Sequence, residues 1–113
     1  MESKIGTILH ICPRVEWLDA REDEIYRAPS LVDEGFIHCS RPEQLLHVAN
    51  RFYREMPDLV VLWIDIELLE SEVRWEAAED GELYPHIYGP VELDAVTAVT
   101  HLLPDPDGSF SRM

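Results

Sequence analysis

The sequence has few cysteines and little positive charge. Its two cysteines, Cys12 and Cys39, lie among apolar residues without CxxC spacing, so we expect reduced, mostly buried thiols and no disulfide framework or zinc ribbon. Only 9 lysines and arginines accompany 23 aspartates and glutamates, which gives a formal net charge of -14. A field of this sign repels phosphate backbones and anionic lipids. We therefore expect no nucleic-acid partner and no membrane partner.

Long hydrophobic runs are also missing. No apolar run approaches the roughly 20 residues of a transmembrane helix, and residues 1–4 do not open a signal-peptide pattern. We therefore expect a cytoplasmic protein. The length of 113 residues and the 46% hydrophobic content predict one folded domain over residues 1–103. Residues 104–113 contain two prolines and a glycine and are expected to form a loose tail with little to bury.

Hydrophobic patterning predicts about five strands, one good helix and one or two short helices. Residues 59–66 are almost continuously apolar and β-favouring, which is typical of a strand at the centre of a sheet. The best helix is predicted over residues 41–55, with Leu45, Val48, Phe52 and Met56 on one face and a capping box that begins at Ser40. The remaining strands are expected at residues 5–12, 36–39, 73–79 and 95–103. This order predicts an α+β domain with a curved or split, mostly antiparallel sheet.

Two short segments pair a histidine with a hydroxyl among glycines and prolines. They are 35–40, with His38 and Ser40, and 85–90, with His86 and Tyr88. In an extended backbone, residues i and i+2 share a face, so each pair points the same way. Imidazole suits proton transfer, anion contact or metal binding near neutral pH, and a nearby hydroxyl can orient a polar ligand. These segments therefore predict a pocket.

Each candidate also has a structural interpretation. His10 lies within a strand, where a hydrogen-bonded core histidine is the more common case, and His38 at a strand end suits a site and a structural role equally. The segment around His86 could be a rigid loop over a sheet edge. Glu76 has Arg74 on its own strand face and could form a surface ion pair, or it could face the histidines across a cleft.

Metal binding and covalent catalysis are not favoured by the residue spacings. The histidines lack HxH or HxxxH spacing, so we expect no metal. Cys39 and His38 are adjacent and point to opposite faces of a strand, so His38 could not readily activate the thiol. The hydroxyl of Ser40 is expected to cap the following helix.

Taken together, the motifs resemble a family of small bacterial proteins, the family of domain of unknown function 952. The resemblance runs from about residue 7 to residue 103. It rests on segments 9–12, 35–40 with Gln44, 74–76 and 85–90, together with the helix that contains Trp17.

The family is in turn similar, distantly, to the ADP-ribosyltransferase and RNA 2'-phosphotransferase fold. This likeness implies a cleft for NAD or a related nucleotide, in which His10 would contact the nucleotide and Glu76 would contact a ribose or stabilise an oxocarbenium-like state. The chain departs from the transferase pattern, because it has no Ser-Thr-Ser segment and no arginine cluster.

The resemblance implies glycosyl or ADP-ribosyl transfer, or hydrolysis of a related compound, with NAD as a possible substrate and no certain cofactor. Catalytic roles fall to Glu76, His86 and Tyr88, and ligand-binding roles to His10, His38 and Ser40. Two alternatives stay open: a non-catalytic module that binds a small metabolite, and a structural protein without a ligand. The residues leave the oligomeric state open.

Overall fold

In the computed structural model, residues 6–113 are described, and they form eight strands and three α-helices. The strands are β1 Thr7–Pro13, β2 Ile25–Tyr26, β3 Ile37–His38, β4 Leu59–Asp65, β5 Glu72–Ala77, β6 Leu83–Tyr88, β7 Val91–Glu92 and β8 Val96–Leu102. The α-helices are α1 Arg14–Asp23, α2 Pro29–Asp33 and α3 Leu45–Phe52, and single 3-10 turns lie at Pro42–Gln44, Ile66–Leu68 and Leu93–Ala95. The predicted strand start at Ile5 lies outside the described residues.

Antiparallel pairing divides the strands into two three-stranded sheets and one small ribbon. The first sheet has the order β1-β4-β8, the second has the order β3-β6-β5, and β2 pairs with β7. The protein is thus a small single-domain α+β fold with antiparallel sheets and few helices. The expectation that residues 59–66 form the central strand is confirmed for β4, which pairs on both sides and is buried along most of its length.

The first sheet separates two hydrophobic clusters because successive side chains of a strand point to opposite faces. On one face, Ile8 and Cys12 pack with Ile37 and Ile87 of the second sheet. On the other face, Leu9 and Ile11 pack with α3 and with Phe110; the α3 residues in this cluster are Leu45 and Ala49. Successive residues of β1 therefore pack alternately into one cluster and then the other.

The helix predicted over residues 41–55 is shorter in the structure. It begins with the 3-10 turn Pro42–Gln44 and continues as α3 to Phe52. Leu45 and Ala49 are fully buried, whereas Phe52 is 65% exposed and Met56 is 37% exposed, so the predicted apolar face is wrong at its C-terminal end.

The predicted cap at Ser40 is also wrong. The residue that caps the turn is Arg41, whose backbone N–H donates to the side-chain oxygen of Gln44 over 2.9 Å. The backbone of Ser40 instead pairs with Leu9 of β1. A strand-like bridge fixes Ser40 one residue before the N-cap Arg41, so the Ser40 side chain is not placed to cap the turn.

Segment 85–90 is not a loop over a sheet edge, since most of it belongs to β6, the middle strand of the second sheet. Pro85 is accommodated because its carbonyl accepts the bond from the Cys39 N–H, while its own nitrogen needs no partner. Gly89 ends the strand at a close approach, where an added Cβ would lie 2.4 Å from the Ser71 hydroxyl oxygen.

Residues 104–113 contain a buried anchor, contrary to the expectation that they have little to bury. Phe110 is only 3% exposed and joins the cluster around α3. Asn50 of α3 binds its backbone twice, by donating to the Phe110 carbonyl over 2.8 Å and accepting from the Phe110 N–H over 2.7 Å. Within residues 6–113, no helix has the length and apolar character needed to span a membrane.

Candidate functional site

A pocket of about 770 Å³ lies where α3 faces both sheets. Its wall on the second sheet carries His38 and His86, which are opposite each other in the register of β3 and β6. The other lining residues come from β1 (Leu9, Ile11), the segments beside β3 (Glu34, Cys39, Ser40), α3 and its end (His47, Val48, Arg51, Phe52, Tyr53), the end of β5 (Ala77), the β5–β6 turn (Ala78, Glu79, Asp80) and β6 (Tyr84).

The pocket floor is formed where the two sheets meet. Leu9 and Ser40 exchange two backbone hydrogen bonds of 2.8 Å, one in each direction. This pairing brings the end of β3 against β1, so that Ser40 lines the pocket while only 3% of the residue is exposed. His38 and Ser40, which the sequence predicts to share a site, both line this pocket.

Among the three predicted catalytic residues, Glu76 contacts the other two on the second sheet. Glu76 Oε1 accepts a hydrogen bond from His86 Nδ1 over 2.6 Å and another from the Tyr88 hydroxyl over 2.7 Å. The His86 bond and then the Tyr88 bond hold the pKa of the Glu76 carboxyl below its ordinary value. Glu76 is therefore an ionised carboxylate at neutral pH, and its hydrogen bond raises the pKa of the Tyr88 hydroxyl.

This contact determines which nitrogen of His86 is available. Because an ionised carboxylate only accepts hydrogen bonds, Nδ1 carries the proton, and the neutral ring keeps its lone pair on Nε2. Within residues 6–113, Nε2 of His86 has no hydrogen-bond partner, and the side chain is 14% exposed where it lines the pocket. His86 is thus an oriented imidazole with one free nitrogen at a cavity.

Aromatic contacts hold the His86 ring in place from a second direction. The Phe36 ring stacks on it with a centroid distance of 4.2 Å and an interplanar angle of 18°. Phe36 also lies 5.2 Å from the Tyr88 ring, and the Arg74 guanidinium lies 4.1 Å from the centre of Tyr88. Arg74 pairs with Glu72 over 3.0 Å, so it leaves the Glu76 carboxylate to His86 and Tyr88. Of the two possibilities for Glu76, the surface ion pair with Arg74 is not the one formed.

His10 is not brought to the pocket. Leu9 and Ile11 line the pocket, and His10 between them points to the opposite face, where it is 6% exposed. Both of its ring nitrogens are occupied: Nδ1 lies 2.6 Å from the His38 carbonyl oxygen and Nε2 lies 2.7 Å from the Tyr26 hydroxyl. Burial lowers the pKa of His10 to about 4, so the ring is neutral near pH 7. This is the hydrogen-bonded core histidine of the structural interpretation.

Cys39 lines the pocket but is an inert thiol. Burial raises its pKa far above the ordinary value, which keeps the sulfur protonated at neutral pH. Both cysteines are free and buried, as expected for reduced thiols. Among residues 6–113, no three histidine, cysteine or carboxylate side chains are grouped so that they could hold a metal ion.

Sequence reasoning misses part of the pocket, namely the contributions of α3 and the β5–β6 turn. By sequence alone His47 is a surface or packing residue, yet it lines the pocket with its Nε2 3.6 Å from Asp80 Oδ2. Asp80 reads only as part of a turn, yet it also accepts a 2.7 Å bond from the Tyr84 hydroxyl. The recurrence of histidine and tyrosine in these segments is the signal that the sequence offers for this part of the pocket. No local pattern predicts that α3 packs beside the β5–β6 turn.

Comparison with known proteins places this geometry in a family. Residues 11–99 match the family described as "Protein of unknown function (DUF952)". The chain belongs to the DUF952 family. No curated protein matches the chain.

Solved structures of one similar protein share the fold. The crystal structure of protein CC0527 from Caulobacter crescentus is 32% identical, with 94% of each chain covered and a TM-score of 0.86. A double mutant of CC0527 gives 31% identity, the same coverage and the same TM-score. The solution NMR structure of CC0527 gives 32% identity, 93% coverage of this chain, 91% of that chain and a TM-score of 0.80. The fold described above is therefore shared between this DUF952 protein and CC0527.

Proposed function

We propose that this DUF952 protein binds a small molecule in the 770 Å³ pocket and hydrolyses it or transfers a group from it, with His86 as the general acid and base. One observation carries the proposal: Glu76 holds Nδ1 of His86 over 2.6 Å, while no group within residues 6–113 binds Nε2 of this pocket-lining ring. A carboxylate that holds one imidazole nitrogen orients the ring and stabilises its protonated form.

The reaction class we propose is cleavage at a glycosyl carbon, which includes the NAD-linked or ADP-ribosyl chemistry expected from the resemblance. Nε2 of His86 would take a proton from the attacking water or acceptor hydroxyl, whose oxygen bonds to the glycosyl carbon. The bonding pair of the broken bond leaves with the departing group, and His86 returns the proton to that group or to solvent. Two separate three-stranded antiparallel sheets support the likeness to the split-sheet transferases.

The geometry changes three of the expected roles. Glu76 does not line the pocket and acts through His86, so it is a positioning residue instead of a direct contact to a ribose. His10 faces the core, so the ligand contacts expected of it fall to His38, Ser40 and the α3 side of the pocket. Tyr88 supports the Glu76 carboxylate and does not line the pocket.

This function is tested by mass spectrometry, which detects products formed from NAD, ADP-ribose, AMP and nicotinamide riboside. The wild type is compared with His86→Ala, with Glu76→Gln and with Glu22→Gln, an exposed acid of α1 that removes the same charge away from the pocket. Turnover that His86→Ala abolishes and Glu22→Gln retains supports the proposal. Glu76→Gln should lower kcat more than it raises KM, because the amide group no longer holds Nδ1 of His86 as the carboxylate does.

The alternative is a binding module without turnover. Saturable binding in the pocket with no product from any compound would favour it. Turnover that is unchanged in His86→Ala would refute the acid–base role.

A further inference from the structure

The carboxylates that line the pocket are already paired with nitrogen-bearing side chains. Three side chains with nitrogen donors, those of His38, Arg51 and His47, each face a carboxylate from a different element or turn. The three contacts are Glu34–His38 at 3.1 Å, Glu79–Arg51 at 3.4 Å and Asp80–His47 at 3.6 Å. A phosphate group entering the pocket would have to compete with a carboxylate for every one of these nitrogens.

Permanent charge in the pocket lining is negative. The lining contains three carboxylates and a single guanidinium, that of Arg51, among the described residues. Asp80 is firmly ionised, because the Glu82 backbone N–H and then the Tyr84 hydroxyl donate to it and hold its pKa below the ordinary value. The formal charge of -14 over the whole chain adds to this local field. A ligand that carries phosphate is therefore repelled both on approach and in the pocket.

The remaining wall suits a flat, weakly polar ring. Leu9, Ile11 and Val48 supply aliphatic surface, and Phe52 adds an aromatic ring. The His38 and His86 rings stand edge to face with their centroids 5.3 Å apart, next to this apolar surface. A planar nitrogen heterocycle can pack against such a wall while its N–H groups or positive charge face the carboxylates.

We propose that the pocket selects phosphate-free ribosides of nitrogen heterocycles, either uncharged or cationic, over their phosphorylated counterparts. This inference rests on the proposed function, because it concerns the substrate class of the same pocket. The carboxylates of Glu34, Glu79 and Asp80 accept hydrogen bonds from the heterocycle and exclude phosphate. Charge at the pocket, more than its size, sets the choice of ligand.

Two matched pairs of probes test the selection: nicotinamide riboside against nicotinamide mononucleotide, and adenosine against AMP. Within each pair only the phosphate differs. Calorimetric titration of the wild type should give at least about tenfold tighter binding of the phosphate-free member, and the ratio should shrink in 0.5 M salt (roughly a 4 Å screening length). The same titrations with Glu79→Gln should narrow the ratio, because this change frees Arg51 for the phosphate. Asp80→Asn should narrow the affinity ratio most for the pair of nicotinamide riboside and nicotinamide mononucleotide.

Glu22→Gln is the matched control, since it removes one negative charge on the exposed face of α1 and should leave both ratios unchanged. Tighter binding of the phosphorylated members would overturn the inference and leave the proposed function standing. Binding of none of the four probes would also overturn it, while the His86→Ala turnover comparison decides the proposed function separately. An equal effect of Glu22→Gln and Glu79→Gln would show that overall charge, not the pocket, sets the preference, which likewise overturns it.

Discussion

His10 and His86 are both strand histidines with a tyrosine nearby, yet they lie in opposite environments. His10 is enclosed between the two sheets, and the His38 carbonyl and the Tyr26 hydroxyl occupy both of its nitrogens. His86 has one nitrogen held by Glu76 and the other free at the pocket. His86, held at one nitrogen, is the candidate for acid–base chemistry, whereas His10, bonded at both nitrogens within the core, is expected to stabilise the fold.

The largest expected effect is on turnover when His86 is replaced. General acid–base catalysis contributes roughly 10²–10⁴-fold, so His86→Ala should reduce kcat by about that factor while the protein stays folded. Product formation by the purified variant and its thermal unfolding midpoint check both parts. If His86→Ala loses activity only because the protein unfolds, His86 would have a structural role like that of His10, and the contrast between the two histidines would be lost.

The reverse pattern is expected at His10. His10→Ala removes the partner of the Tyr26 hydroxyl and of the His38 carbonyl in a buried site, so it should lower the free energy of unfolding by about 2–4 kcal/mol. Urea denaturation measures this loss. Tyr26→Phe is the milder companion, with an expected loss of about 1–2 kcal/mol, and it keeps the comparison usable if His10→Ala does not fold. A loss below about 0.5 kcal/mol in both variants would contradict the structural role.

Acid should destabilise the protein through His10. Its pKa is about 4 in the folded protein, against an ordinary value of 6.5, so the unfolded chain binds the extra proton first as the pH falls. Stability contributed by the neutral ring is complete above pH 6.5 and falls as the pH is lowered towards 4, by about 3 kcal/mol at most. Urea denaturation at several pH values measures it.

Two variants are compared with the wild type as controls for this pH effect. Tyr26→Phe keeps His10, and the second variant lacks His10. The variant without His10 should lose the pH dependence between pH 6.5 and 4, whereas carboxylates such as Asp58 and Asp80, whose pKa values are lowered, act mainly at lower pH. An unchanged slope in the variant would mean that His10 is not the titrating group.

The smallest effect is expected at Tyr88. Tyr88→Phe removes one of the two hydrogen bonds to Glu76 Oε1 but keeps the bond from His86. A single hydrogen bond contributes about 0.5–1.5 kcal/mol, so kcat should fall by roughly threefold to tenfold. A loss as large as that of His86→Ala would mean that Tyr88 itself takes part in the reaction.

Local patterns are sufficient for most of the strands and for one group of site residues. The alternation in residues 73–79 and the His86–Tyr88 spacing predict shared faces for these side chains, and β5 and β6 do pair with Glu76, His86 and Tyr88 in contact. The end of α3 and the cap are less predictable, because burial of Phe52 and the role of Ser40 depend on what packs beside them. The same limit explains the buried Phe110, whose partners lie on α3 far away in sequence.

The sequence by itself determined the α+β class, the central strand, the net charge of -14, and the candidate set of histidines and Glu76. These follow from side-chain periodicity and charge, which act over short distances along the chain. The tertiary structure alone decided that His10 faces the core and that His47, Arg51, Glu79 and Asp80 join His38 and His86 around one pocket. The reason is physical: which side of a strand is buried, and which helix packs beside which turn, depends on contacts between residues distant in sequence.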